Sequence, residues 1–193
     1  MKRQSGITLV EILITVLVLA IGLLGIAALQ TTAMTGNYTS YQYTQAAFLA
    51  QSMVERMRAN RNAYASGNSF YNLAAGSTTG PSVPSTCYNQ ACTPQQQALW
   101  DLGIFYSQVT GIAVANVTTF VAKDSSANTI GTLPGGQVSV VCDNPFPIAQ
   151  PGKCLVSVYW DPGRTGTTST TKYSCDSTDS TALKCFRLAV ILP

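Results

Sequence analysis

The reading of this chain turns on residues 6–29, GITLVEILITVLVLAIGLLGIAAL. The run is apolar almost without interruption and long enough to cross a bilayer as a helix, for which ~20 residues suffice. One carboxylate, Glu11, lies inside it. A charge in hydrocarbon costs roughly 3 kcal/mol on insertion scales, so Glu11 calls for a partner and a role. The residues before Ile7 are few, carry Lys2 and Arg3, and end in Gly6. A secretory signal peptide would have a shorter apolar core of about 7–15 residues followed by a small-residue cleavage site. This run is longer, and no clean A-x-A site follows it. A plain signal anchor accounts for the hydrophobicity but leaves Glu11 unexplained. A third arrangement puts a cut between Gly6 and Ile7, which makes Glu11 the fifth residue of the mature chain.

That arrangement resembles the class III leader of type IV prepilins: a short basic leader, glycine at the cut, an apolar first residue and a glutamate at mature position five. Two further stretches extend the likeness. Leu19-Ala20-Ile21-Gly22-Leu23-Leu24-Gly25 looks like the membrane part of PilV-type minor pilins, the type IV pilus modification proteins. Met53-Val54-Glu55-Arg56-Met57-Arg58-Ala59-Asn60-Arg61 looks like their E-R-M-R-A-N-R stretch. The resemblance covers about the first 62 residues and thins to short pieces beyond. Ile7 stands where the family usually has Phe, and the helix-bending proline of major pilins is missing, which leaves Gly22 and Gly25 as the points of softness.

The resemblance implies a non-catalytic structural subunit. A membrane-embedded prepilin peptidase would cut after Gly6 and methylate the new amine on Ile7. The Glu11 carboxylate would then meet the N-terminal amine of a neighbouring subunit in a filament, and pairing removes most of the cost of a buried charge. The implied partners are the prepilin peptidase, other minor pilins, the major pilin and the inner-membrane assembly platform. The implied role is initiation or assembly of a type IV pilus (fimbrium) in support of twitching motility, cell adhesion or DNA uptake. The implied location is the bacterial inner membrane, single-pass with a periplasmic C-terminal domain, and then the pilus at the cell surface.

Composition narrows the alternatives. The chain has 193 residues, room for one globular domain beside the membrane segment. Charged residues make up only 10%, and the net charge of +3 falls to +1 without Lys2 and Arg3, nine basic residues against eight acidic. That is too little for nucleic-acid binding by bulk charge. There is no histidine, which removes the commonest general base and the commonest metal ligand together. No phosphate-cradling glycine loop and no acidic pair with a catalytic frame is present, so neither an enzyme, a cofactor, a metal nor a small-molecule substrate is expected. Lys2 and Arg3 before the helix place that end in the cytoplasm by the positive-inside rule.

The helix is expected to continue past the membrane run to about Asn60, on the order of 80 Å in all. Ala46, Leu49, Ala50, Met53, Val54 and Met57 recur at three- and four-residue steps, the mark of one buried face. Gly36 and Asn37 are the point where a kink is expected. Residues 63–93 read as loop. Thr93 then offers an N-cap, Pro94 a first helical position and Gln96 the return arm of a capping box, with Ala98, Leu99, Leu102, Phe105, Tyr106 and Val109 at helical spacing and Gly111 as the stop. This predicts a helix over Pro94–Thr110. Residues 112–121 alternate weakly and are read as a strand, and Leu133-Pro134-Gly135-Gly136 as a turn. Alternation predicts three more strands, over Gln137–Cys142, 154–160 and 186–192. Three antiparallel strands need a covering face, which the second half of the long helix supplies. The expected fold is α+β and type IV pilin-like: a long N-terminal helix, transmembrane in its first half, packed on a small antiparallel sheet with disulfide-tied loops. The expected organisation is a leader over residues 1–6, a membrane or filament-core helix over 7–30, its periplasmic continuation over 31–62, and a globular head over 63–193.

The six cysteines, Cys87, Cys92, Cys142, Cys154, Cys175 and Cys185, all follow the membrane run, and none forms C-x-x-C. Without histidine a zinc site is weakly supported, and disulfides in an oxidising compartment are the favoured reading. Sequence leaves their pairing open; nearest-neighbour pairing, Cys87–Cys92, Cys142–Cys154 and Cys175–Cys185, is the simplest choice. Asp176 and Asp179 carry oxygen ligands of the kind calcium takes, and are read first as a solvated loop. Arg56, Arg58 and Arg61 form the most basic patch, read first as helix-end charge with arginine stems packed on neighbours and, beside that, as a contact with another subunit or with DNA; Glu55 joins them as a subunit-contact candidate. Two other functions share some of these features: a minor pseudopilin of a type II secretion system, and a membrane-anchored periplasmic domain that does not assemble.

Overall fold

The computed structural model describes residues 6, 8–63, 70–77, 80–84, 87, 91–112, 114, 133–143, 152–163, 175 and 183–192. Their order is helix α1 (Leu9–Ala59), a 3-10 turn (Arg61–Ala63), helix α2 (Pro94–Thr110), and strands β1 (Gln137–Cys142), β2 (Gly152–Trp160) and β3 (Lys184–Leu192). This is the α+β, pilin-like architecture the sequence calls for. The chain divides into two compact units, Met1–Tyr41 and Gln42–Pro193, and α1 contributes to both.

In the first unit Thr8 immediately precedes α1. The Thr8 carbonyl accepts the Glu11 and Ile12 N–H groups at 3.1 and 3.4 Å, and its hydroxyl lies 3.4 Å from the Glu11 nitrogen. From Leu9 to Leu29 every large apolar side chain is more than half exposed. The helix is long and apolar enough to cross a membrane, and none of its most apolar stretch is buried in the protein. Val, Ile and Thr are mediocre helix formers in water, but in hydrocarbon a helix is the way one segment satisfies all its own backbone groups. Hydroxyls are satisfied in the same manner: Thr31, Thr32, Thr35, Thr39 and Ser40 each donate to a carbonyl of the preceding turn at 2.8–3.1 Å. Between Glu11 and Glu55 there is no charged residue. Gly36 and Asn37 are helical within α1, which is unbroken there.

In the second unit α1 buries Ala46, Leu49, Ala50, Met53, Val54 and Met57, the face its spacing predicts, and adds Gln42 at the start of that face. The Thr93 hydroxyl accepts the Gln96 N–H, the Gln96 side chain accepts the Thr93 N–H at 2.9 Å, and Pro94 opens α2. Gly111 ends it in the left-handed region, φ 73°, where a side chain would be strained. Burial on α2 is wider than one stripe: every residue from Trp100 to Ser107 is buried, while Leu99 is only half-buried. Sequence periodicity therefore understates this helix, which is enclosed on most sides.

The sheet is an antiparallel meander in the order β1-β2-β3. Two residues longer at their starts than alternation alone predicts, β2 and β3 extend back to Gly152 and Lys184. Val138, Val140 and Cys142 on β1 and Cys154, Val156, Val158 and Trp160 on β2 join the α1 and α2 side chains in one apolar core. Each fully buried aliphatic side chain of this kind contributes about 1.5–3 kcal/mol. Gly136 is required by packing, because a Cβ there would run into the Val109 carbonyl at the end of α2. Leu73, within the stretch read as loop, forms an isolated antiparallel bridge with Val140. Ile112 and Val114 are not in a strand, and most of the strand predicted over 112–121 lies outside the described residues. Three disulfides join Cys87 to Cys92, Cys142 to Cys154 and Cys175 to Cys185. Cys142 and Cys154 are direct cross-strand partners, with Cα atoms 4.0 Å apart.

Candidate functional site

The N-terminal end of α1 carries the residues that sequence reasoning singles out for processing and assembly. Gly6 is exposed, with nothing near enough to contact a Cβ among the described residues. Ile7 lies outside the described residues. Glu11 sits in the first turn of α1, exposed, where the unpaired N–H groups of the helix end favour a negative charge. Among the described residues it forms no salt bridge. It is followed by more than forty uncharged helical positions.

The second cluster, at the far end of α1, is an internal joint. Arg56 turns inward and meets Asp101 of α2, Nη1 to Oδ1 at 3.3 Å. Gln97 donates to the same oxygen at 3.0 Å, and the buried Tyr71 hydroxyl donates to Oδ2 at 2.9 Å. Asn60 Nδ2 donates both to the Tyr71 oxygen at 3.0 Å and to the Pro94 carbonyl at 2.8 Å. Burial pushes the Asp101 carboxyl up from its ordinary value, while hydrogen bonds from Tyr71 and Gln97 and the Arg56 charge pull it down. Burial likewise raises the Tyr106 phenol, whose hydroxyl donates to the Ser77 carbonyl at 2.9 Å.

Of the four residues with a subunit-contact reading, the structure splits Arg56 from the rest. Arg56 is engaged with Asp101; Glu55 and Arg58 pair with each other at 2.9 Å on the surface; Arg61 is exposed in the 3-10 turn. An exposed pair one turn apart contributes only a few tenths of a kcal/mol. Asp176 and Asp179 lie outside the described residues. Among the described residues no group of His, Cys, Asp and Glu is arranged to hold a metal ion.

Sequence reasoning missed Asp101, Tyr71 and Gln97. One signal was available: Asp101 stands alone in the apolar run Leu99-Trp100-Asp101-Leu102-Gly103-Ile104, and a carboxylate enclosed by such neighbours is rarely buried without a partner. It also missed Gln42, whose Oε1 accepts the buried Trp160 indole N–H.

With the geometry in place, two matches to family models bear on it. Residues 28–103 match the family described as type IV pilin Tt1218, and residues 1–27 match the prokaryotic N-terminal methylation motif. The first match takes in the second half of α1 and every member of the Arg56–Asn60–Tyr71–Gln97–Asp101 cluster; the second takes in Gly6, Ile7 and Glu11. No curated protein and no solved structure matches the chain.

Proposed function

Taking the chain as a type IV pilin that carries the prokaryotic N-terminal methylation motif, we propose that it is a minor pilin of the PilV kind. In this reading prepilin peptidase hydrolyses the peptide bond after Gly6 and methylates the amine that this frees on Ile7. Residues 7–30 hold the subunit in the inner membrane and then in the filament core, residues 31–62 continue the helix into the periplasm, and residues 63–193 form the head. The subunit enters a pilus with other minor pilins and the major pilin through the inner-membrane assembly platform, and does no catalysis.

The observation that carries the reading is Glu11, one exposed carboxylate in the first turn of a helix that is then charge-free as far as Val54. In lipid an unpaired carboxylate is costly, and a cation delivered by a neighbouring subunit removes much of that cost. The freed amine of a second pilin is a cation of the right size, at the same end of the same helix. One ion pair would then set the stagger between subunits while the exposed Val, Leu and Ile side chains pack together.

Intact-mass and N-terminal peptide mass spectrometry on sheared surface filaments and on membranes tests the proposal. The expected result is a chain beginning at methylated Ile7 in the filament fraction. An uncut chain confined to membranes would overturn it. A processed chain found only with secretion-channel components would make the pseudopilin reading correct instead.

A further inference from the structure

β1 is an edge strand: β2 lies on one side of it, and no full strand lies on the other among the described residues. A bare edge offers rows of N–H and C=O groups to any passing chain. On this molecule the edge is covered. Leu73 and Val140 exchange both backbone hydrogen bonds, at 2.8 and 2.9 Å, and the Cys142 N–H donates to Asn72 Oδ1 at 2.8 Å. The cover is not a strand in its own right, because its pairing is one isolated bridge. It is held from behind by the neighbouring tyrosine. Tyr71 is fully buried, donates to Asp101 on α2 and accepts from Asn60 beyond the end of α1. Beside the covered edge, Val141 is 57% exposed, an apolar residue that would favour sheet-to-sheet contact if the edge were bare.

We propose that residues 71–73 are a latched edge guard: they occupy the outer edge of β1 and keep it from pairing with β1 of a second copy, and the latch is the Tyr71 hydroxyl on Asp101 and Asn60. The guard lets subunits sit at high local concentration in the membrane without joining through their β1 edges. It is independent of cleavage at Gly6, since it acts within the head.

Amide hydrogen exchange on the full-length chain in detergent micelles, read residue by residue by NMR, tests this in wild type, Tyr71→Phe and Asn72→Ala. Antiparallel alternation points the Val140 and Cys142 amides outward to the guard and the Ser139 and Val141 amides inward to β2. Tyr71→Phe is expected to speed exchange at Val140 and Cys142 roughly tenfold, the scale of one lost buried hydrogen bond, with Ser139 and Val141 unchanged. The same variant is expected to self-associate with rising concentration in sedimentation runs where wild type does not. Unchanged exchange at Val140, or local opening without added self-association, overturns the proposal. Should Tyr71→Phe loosen the whole head, Asn72→Ala decides: its side chain is exposed, so the fold is kept, and a Cys142 amide that stays slow rules the guard out.

Discussion

The indole N–H of Trp160 donates to Oε1 of Gln42 at 3.2 Å, joining the last residue of β2 to the first buried position of α1 in the head. Both side chains are almost wholly enclosed, and Tyr43 packs edge-on against the same indole with ring centroids 4.8 Å apart. A buried indole N–H needs an acceptor, and Gln42 supplies it from a helix face that is otherwise apolar.

Gln42→Leu is therefore expected to destabilise the head by about 1–3 kcal/mol. The value should fall toward the lower end, because the Gln42 Nε2 group has no hydrogen-bond partner among the described residues and its removal offsets part of the loss. Thermal unfolding of the full-length chain in detergent reads the change. A variant as stable as wild type would show that the indole does not depend on this acceptor.

Asp101 gives the head an acid-side dependence on pH. Its folded carboxyl binds its proton more tightly than the unfolded one, whose ordinary value is 3.8, because burial outweighs the Tyr71, Gln97 and Arg56 contacts. Between the two values the native state holds more protons than the unfolded state, so this group's contribution to stability falls as pH rises from 3.8 through the raised folded value. Asp101→Asn should abolish that component, making the stability difference between wild type and variant vary with pH over this window and level off above it. Asp101→Ala, which removes the acceptor of the Tyr71 hydroxyl and the carboxylate facing the partly exposed Arg56, should cost about 2–4 kcal/mol. A pH-independent difference between wild type and Asp101→Asn would mean that folding does not raise the Asp101 carboxyl.

Two glycines should respond in opposite directions. A Cβ at Gly136 meets the Val109 carbonyl, so Gly136→Ala should cost about 1–3 kcal/mol as backbone is pushed aside. At Gly36, inside α1 with open space around it, alanine should be neutral or add up to roughly 1 kcal/mol through helix propensity. Paired melting curves check both.

The disulfides should reduce in order of burial. Cys142 and Cys154 are buried between β1 and β2, whereas Cys87 is only half-buried. Mild reductant followed by alkylation and peptide mass spectrometry should label Cys87 and Cys92 while the head remains folded, and Cys142 and Cys154 only on unfolding.

How much of this was legible follows from the range of each signal. Local and periodic features came through: the Ala46 to Met57 face, the Thr93, Pro94 and Gln96 helix start, and the alternation along β1 and β2 need only neighbours within a few residues. What escaped depends on residues far apart. Arg56, Arg58 and Arg61 read as one basic patch, yet positions two apart on a helix face different ways, and only Arg56 reaches Asp101. A polar residue such as Gln42, at the edge of an apolar stripe, reads as exposed until its partner, Trp160, is placed. Leu73 pairs with β1 through a single bridge, too short to leave any alternation in the sequence.

Glu11→Ala separates membrane insertion from assembly by the sign of its two effects. Replacing a carboxylate with a methyl group in the apolar run should make insertion easier, by roughly 3 kcal/mol at most on insertion scales and less near the helix end. A residue that served only as part of an anchor would therefore be improved by the change. If Glu11 instead meets the amine of a neighbouring subunit, the same substitution leaves that cation in an apolar helix stack without its partner, and the cost falls on assembly alone. The expected outcome is wild-type or higher levels of Glu11→Ala in the membrane fraction together with a sharp loss from sheared filaments, measured by immunoblot of both fractions from cells producing equal amounts of each protein. Equal incorporation of the variant and the wild type into filaments would remove Glu11 from the assembly role and leave it as a helix-end charge.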